Sequence, residues 1–255
     1  MSSDELRPYR RLRDADLQRQ DGLFALEGEL VLRRAVACGV TVRSVLATSG
    51  WVDRLADLDL NLLVVDQEVM DGIVGYPIHR GLVAMAARPA TRSVAQVTAG
   101  ATTVIALEGV NDHENLGALF RNAAAFAAGA VVLDERCADP LYRRSVRVSL
   151  GHVLAVPYAR SAAWLDELAT AGLELVALTP DPSAEPVDRL EDAGRVALLL
   201  GAEGPGLSAT ALDRASRRVR IPMATGVDSL NVATAAAIAL HRRFEGQAMR
   251  PSPEV

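Results

Sequence analysis

The spacing of apolar and polar positions changes along the chain and divides it into two parts. From about Glu27 to Arg88 it reads as a small α/β unit. GELVLRRAVACG repeats apolar residues at helical spacing and stops at Gly39, a residue suited to a left-handed C-terminal position. TVRSVLAT reads as a strand, a polar helix follows around Trp51–Leu58, and NLLVVD is a second strand. QEVMDGIV is a short helix leading through Pro77 to the apolar strand GLVAMAA. RPATRSVAQVTAGA then loses periodicity and gains Pro, Thr, Ser and Gly, which predicts a linker.

From Thr102 the pattern alternates strongly. TTVIALEG, AVVLDE, VLAVPYA, LELVALT, RVALLLG and RVRIPM read as strands; helices are predicted over Leu116–Ala128, AAWLDELATAG and Ala233–Arg243. Near-continuous apolar strands separated by helices predict an α/β fold with a parallel sheet covered on both faces. The expected domains are residues 1–90, a linker at 91–101, a larger domain at 102–246 and a flexible tail at 247–255.

Composition adds little about function. Half of the 255 residues are hydrophobic and 23% are charged, enough to bury a core. The net charge of −5 does not advertise a nucleic-acid binder, although all 27 basic residues are arginine. Cys38 and Cys137 are too far apart for a metal or redox motif, and no metal site is expected. The first residues lack an apolar signal-peptide core and no apolar run is long enough to span a membrane, so a cytoplasmic protein is expected.

Three loops stand at the carboxyl ends of predicted strands, where open parallel sheets bind ligands: residues 108–124, 201–208 and 221–237. Arg121 is the only charge from Asn115 through Leu133, and Glu203 the only one from Val196 through Leu212. A lone charge in apolar sequence is costly to bury unpaired, so Arg121 and Glu203 are expected to pair if the loops converge. The bland alternative is a structural ion pair. GAEGPGLS lacks the G-x-G-x-x-G spacing of a dinucleotide loop, and Pro205 removes a donor a pyrophosphate would need. Ser229 and Asn231 stand where they could cap a helix, bind a ligand, or do both.

Together the loops resemble the three motifs of the SpoU branch of the SPOUT superfamily: Asn115–Leu116–Gly117 with Arg121, Leu200–Gly201–Ala202–Glu203–Gly204 with Gly206–Leu207, and Ile221–Pro222–Met223 with Ser229–Leu230–Asn231–Val232. The resemblance covers about residues 102–245. FALEGELVLRRAVACG and HRGLVAMA are more loosely similar to the family's N-terminal substrate-binding module.

The resemblance implies a C-terminal domain with a deep trefoil knot, a homodimer, and S-adenosylmethionine held at Gly201, Ile221 and Leu230, with Met223 and Thr179 as secondary contacts. It implies methylation of a ribose 2′-hydroxyl in tRNA or rRNA. Arg121 would bind the neighbouring phosphate and steady the developing alkoxide, since guanidinium is too weak a base to take the proton. Glu203 would orient Arg121, while Asn115, Ser229 and Asn231 fix the loops. Arg143, Arg144 and Arg147 form a candidate RNA-facing patch; the alternative is a solvated loop with internal acidic partners. His79, His113 and His152 are expected to be loop or packing residues. Competing functions are a non-catalytic RNA-binding protein and a nucleotide-dependent oxidoreductase.

Overall fold

A computed structural model describes residues 3–10, 13–18, 22–78, 81–190 and 194–248. The chain divides into two units, Met1–Ala90 with Asp139–Ala155, and Thr91–Ala138 with Val156–Val255.

The first unit is built on strands β1 (Leu23–Glu27), β2 (Val42–Ala47), β3 (Leu62–Val64) and β4 (Leu82–Ala87), in the order β1-β4-β2-β3. β4 pairs antiparallel with β1 and β2, and β2 pairs parallel with β3. Helices α1 (Glu29–Ala37) and α2 (Gln67–Val74) fall where helical spacing predicted them. FALE forms β1, a strand absent from the sequence reading. The polar helix expected around Trp51–Leu58 is instead two short 3-10 turns, Ser49–Trp51 and Asp53–Leu55.

The second unit opens with helix α3 (Val94–Thr98), which corrects the expected linker. Ser93 and Gln96 form a capping box, and Val94 and Val97 are buried in this unit's core. The strands are β5 (Thr103–Glu108), β6 (Ala130–Leu133), β7 (Tyr158–Arg160), β8 (Glu174–Leu178), β9 (Glu185–Pro186), β10 (Val196–Gly201) and β11 (Arg217–Arg220). Their order is β7-β6-β5-β10-β8-β11-β9, and every pairing is parallel. VLAVPYA yields a strand only after Pro157, which lacks the N–H a ladder needs; Val153 and Leu154 lie in a 3-10 turn.

Between β6 and β7 the chain passes through the first unit. There helix α5 (Arg143–Val148), which follows α4 (His113–Ala125), packs on β1. Helices α6 (Trp164–Thr170), α7 (Ala209–Arg214) and α8 (Val232–Ala248) complete the second unit. Val94, Val97, Trp164, Leu168 and Ala211 share one core with Val104, Ala106 and Leu199. Strand alternation turns Ile105 and Leu107 to the opposite face, where α4 contacts α8.

Arg243 on α8 is only 2% exposed. It donates to Thr103 Oγ1 at 3.3 Å, to Leu190 O at 3.2 Å and to Gly194 O, fastening the C-terminal helix to the sheet. Residues 247 and 248 continue this helix; the rest of the expected tail, and His79, lie outside the described residues. No helix of the described residues is long and apolar enough to cross a membrane.

Candidate active site

The strand order reverses beside β5: the chain runs outwards to β6 and β7, then returns to build β8 and β10 on the other side. Such a switch point leaves a crevice at the carboxyl ends of the strands. Here the segments following β8, β10 and β11 surround a cleft of about 700 Å³. Its walls include Leu178, Leu200, Ile221 and Leu230, and among the described residues Glu203 is the only charged one lining it. Gly201, Ile221, Leu230, Met223 and Thr179, the five expected cofactor contacts, all line this cleft, as do Ser229 and Asn231.

The three loops meet through three side chains. Asp112 caps α4 by accepting from Glu114 N and Asn115 N, which fixes Asn115 in the first turn. Asn115 Nδ2 then donates to Glu203 Oε1 at 3.0 Å. Asn231 Nδ2 is 2.8 Å from both Asn115 Oδ1 and Glu203 Oε1. The other end of the same amide caps α8, its Oδ1 accepting from Ala233 N at 2.9 Å and Thr234 N at 3.2 Å. Capping and site-building are therefore both duties of Asn231.

Arg121 corrects the expected pairing. It is exposed, and among the described residues it has no hydrogen bond or ion pair; Glu203 is held by amides instead. The helix explains why. Asn115 and Asn122 are seven residues apart and share a line on α4, so Asn122 Nδ2 reaches Ala233 O at 2.7 Å. Arg121 is one residue out of phase, turned by roughly 100°.

Gly201 is required by its own loop. A Cβ built on it would lie 2.0 Å from Gly206 C and 2.3 Å from Leu207 N, because Ala202 and Gly206 form an antiparallel bridge there. The close approach that Gly201 permits is one of backbone to backbone. This folded-back loop also lacks the shape of a dinucleotide turn.

Two functional-looking residues escaped the sequence reading. Glu108, at the end of β5, is 6% exposed; its Oε2 accepts from Ser208 N at 2.8 Å and so fixes the far end of the Gly201 loop. Asp134, at the end of β6, accepts from Gly109 N, Arg136 N and Cys137 N. Burial opposes its charge, but these bonds and Arg136 hold its carboxyl below the usual range. Glu108 ends an otherwise apolar strand, the same lone-charge signal that singled out Arg121 and Glu203. Burial and the neighbouring Asp134 push the Cys137 thiol up to about 12, which removes it from thiolate chemistry.

The candidate RNA patch belongs to the first unit, and Arg143 is already engaged there. Its guanidinium bonds Asp14 and Glu27, each at 3.2 Å, and Tyr76. Arg147 reaches Glu27 at 3.5 Å and is half exposed, while Arg144 is exposed. Of the acidic partners in the alternative reading, Asp134 does pair internally, with Arg136, whereas Asp139 pairs with Arg88. His113 opens α4 and His152 opens a 3-10 turn. Among the described residues no group of three or more His, Cys, Asp or Glu is arranged to hold a metal.

Residues 102–241, which contain the whole cleft, match the SpoU rRNA Methylase family. The chain belongs to that family. An uncharacterized tRNA/rRNA methyltransferase of Mycobacterium tuberculosis is 50% identical over 244 residues, covering 91% of this chain and 84% of the relative. A solved RNA 2′-O ribose methyltransferase is 27% identical, with a TM-score of 0.79 over 97% of this chain and 98% of its own. An AdoMet-bound rRNA methyltransferase of Sinorhizobium meliloti shares the fold, with a TM-score of 0.82 over 98% of this chain and 96% of its own at 24% identity. For a SpoU family member, the oxidoreductase alternative has no remaining support.

Proposed function

We propose that this protein transfers a methyl group from S-adenosylmethionine to a ribose 2′-hydroxyl of tRNA or rRNA. The observation that carries this reading is the amide-locked meeting of Asn115, Glu203 and Asn231 beside a cleft in a SpoU family chain. The cleft suits the cofactor: its volume is in the range of small-ligand sites, its walls are largely apolar, and its single charge is negative, opposite to a sulfonium. Gly201, Thr179, Ile221, Met223 and Leu230 would hold it there. When bound, it supplies an electrophilic methyl group.

The remaining work falls to the chain's own residues. Asn115 and Asn231 keep the Glu203 carboxylate in one orientation, and Ser229 borders the same cleft. Arg121, exposed and without a hydrogen bond or ion pair among the described residues, binds the phosphate beside the target ribose and stabilises the oxygen as its proton passes to solvent water. A homodimer with the site near the interface is part of the same proposal; the outward turn of Arg121, away from its own Glu203, is compatible with it. The trefoil knot belongs to the same proposal. β11 lies between β8 and β9, both laid down earlier, which suits a threaded C-terminal segment. Arg144 and Arg147 are the RNA contacts proposed for the first unit because both are exposed; Arg143 is left out because its side chain is largely covered and its guanidinium is held by Asp14, Glu27 and Tyr76.

The test is transfer of labelled methyl from S-adenosylmethionine to total tRNA and rRNA, followed by alkaline hydrolysis. A 2′-O-methyl blocks cleavage at that position, so label should appear in alkali-resistant dinucleotides. Arg121→Ala should abolish transfer while cofactor binding survives. Label in mononucleotides would exclude the ribose, and RNA binding without any transfer would favour the non-catalytic alternative.

A further inference from the structure

Beyond the cleft, a second charged cluster lies at the carboxyl edge of the same sheet. Leu107 and Leu133 are paired in register, so the residues that follow β5 and β6, Glu108 and Asp134, stand side by side. Both are buried, at 6% and 5% exposure. Each uses one oxygen for backbone donors: Glu108 Oε2 for Ser208 N, and Asp134 Oδ1 for Gly109, Arg136 and Cys137 N. Each gives its other oxygen to Arg136, whose Nη2 is 3.1 Å from Glu108 Oε1 and whose Nε is 2.9 Å from Asp134 Oδ2.

The guanidinium is thus clamped along one edge and presents the other outward, its side chain 68% exposed. The two carboxylates beneath it do not leave the cluster anionic. Arg160 donates to the carbonyls of Asp134, Glu135, Cys137 and Ala138 and balances the second charge. Arg160 is consumed by carbonyls; Arg136 is the cation that faces solvent.

Its position relates it to the cleft. Gly109, at φ +67°, separates the two: a Cβ there would lie 3.6 Å from Ala202 Cβ and 3.9 Å from Arg136 Cζ. Ala202 lines the cleft next to Glu203. We infer that Arg136 is an RNA-positioning residue, whose free guanidinium edge takes a backbone phosphate of the strand entering the cleft. A planar fork held in advance by two carboxylates loses little side-chain entropy on binding, which favours a two-pronged phosphate contact. The inference rests on the proposed RNA substrate.

The experiment measures binding of total tRNA and of rRNA to full-length protein across a salt series, together with S-adenosylmethionine affinity. Arg136→Gln should weaken RNA binding about tenfold near physiological salt and lower the slope of log K against log salt by about 1, with cofactor affinity unchanged. Arg136→Lys should retain the slope and lose part of the affinity, because an ammonium lacks the fork. Should Arg136→Gln fail to fold, the lysine variant decides alone: wild-type RNA affinity overturns the inference, and so does a loss confined to cofactor binding. Wild-type protein that binds neither RNA would bring down the proposed function itself. Wild-type protein that binds RNA, alongside variants with the same affinity and slope, would remove only the role of Arg136.

Discussion

Asn231 Nδ2 is 2.8 Å from Asn115 Oδ1, which ties the first turn of α4 to the cleft-lining residue that caps α8. Because Asn231 Oδ1 also caps α8, helix stability and site geometry pass through one amide. The two duties can be separated. Asn231→Asp keeps a capping oxygen but loses both donors and sets a second carboxylate against Glu203. It should cost at most about 1 kcal/mol of stability yet reduce methyl transfer at least about tenfold. Asn231→Ala should lose the activity and also roughly 2–4 °C in melting temperature. Calorimetry beside a transfer assay checks both; an aspartate variant with full activity would separate the amide from the site.

Gly201→Ala tests whether the loop tolerates any side chain. A Cβ at 2.0 Å from Gly206 C forces the loop open, since backbone rather than a flexible side chain stands in the way. The expected cost is about 1–3 kcal/mol, with cofactor binding lost by titration calorimetry while the circular dichroism spectrum is unchanged. Normal cofactor affinity would mean that the Ala202–Gly206 closure is dispensable.

Arg243 anchors α8 from within. Arg243→Met leaves Thr103 Oγ1, Leu190 O and Gly194 O short of a buried donor. Each acceptor left dry costs about 1–3 kcal/mol, so a fall of at least about 2 kcal/mol in unfolding free energy is expected. Hydrogen exchange should accelerate in α8 before it does in β5 or β10. Exchange rising evenly through the unit would argue against a local anchor.

Two buried groups set opposite pH limits. The carboxyl of Asp134 is depressed in the folded protein, so its contribution is present above its unfolded value of about 3.9 and fades as pH falls through the folded one. Asp134→Asn should flatten the acid limb of a stability–pH profile. Cys137 is raised to about 12, so its contribution is complete below the unfolded value of about 8.5 and is lost as pH climbs towards 12. At neutral pH a thiol reagent should titrate exposed Cys38 quickly and Cys137 only after unfolding. Fast reaction of both thiols in folded protein would show that Cys137 is reachable.

Much of this was legible in the sequence because strand ends and lone charges are local signals. Continuous apolar runs marked the parallel strands, and two of the three loops singled out, after β10 and β11, line one cleft together with Thr179 and Pro180 after β8, while the loop after β5 joins them through Asn115. The partner of Glu203 was not legible. Charge complementarity pointed to Arg121, whereas the phase of α4 hands Glu203 to Asn115. Thr91–Ala101 looked like a linker because its composition is turn-like, yet Ser93 and Gln96 cap a helix whose two valines are buried. Arg143 looked like a solvent-facing charge because its partners, Asp14 and Glu27, lie more than 110 residues earlier in the chain.

That last contact bears on how such a protein could be assembled in evolution. The chain passes between its units three times, after Ala90, Ala138 and Ala155. Exchanging the first 90 residues for those of another gene would strand Arg143 and the buried Leu141 and Val146 without the surface that receives them. Recombination at the single obvious boundary is therefore penalised. A new specificity in the first unit has to arise by point substitution, or by replacing two separated segments at once.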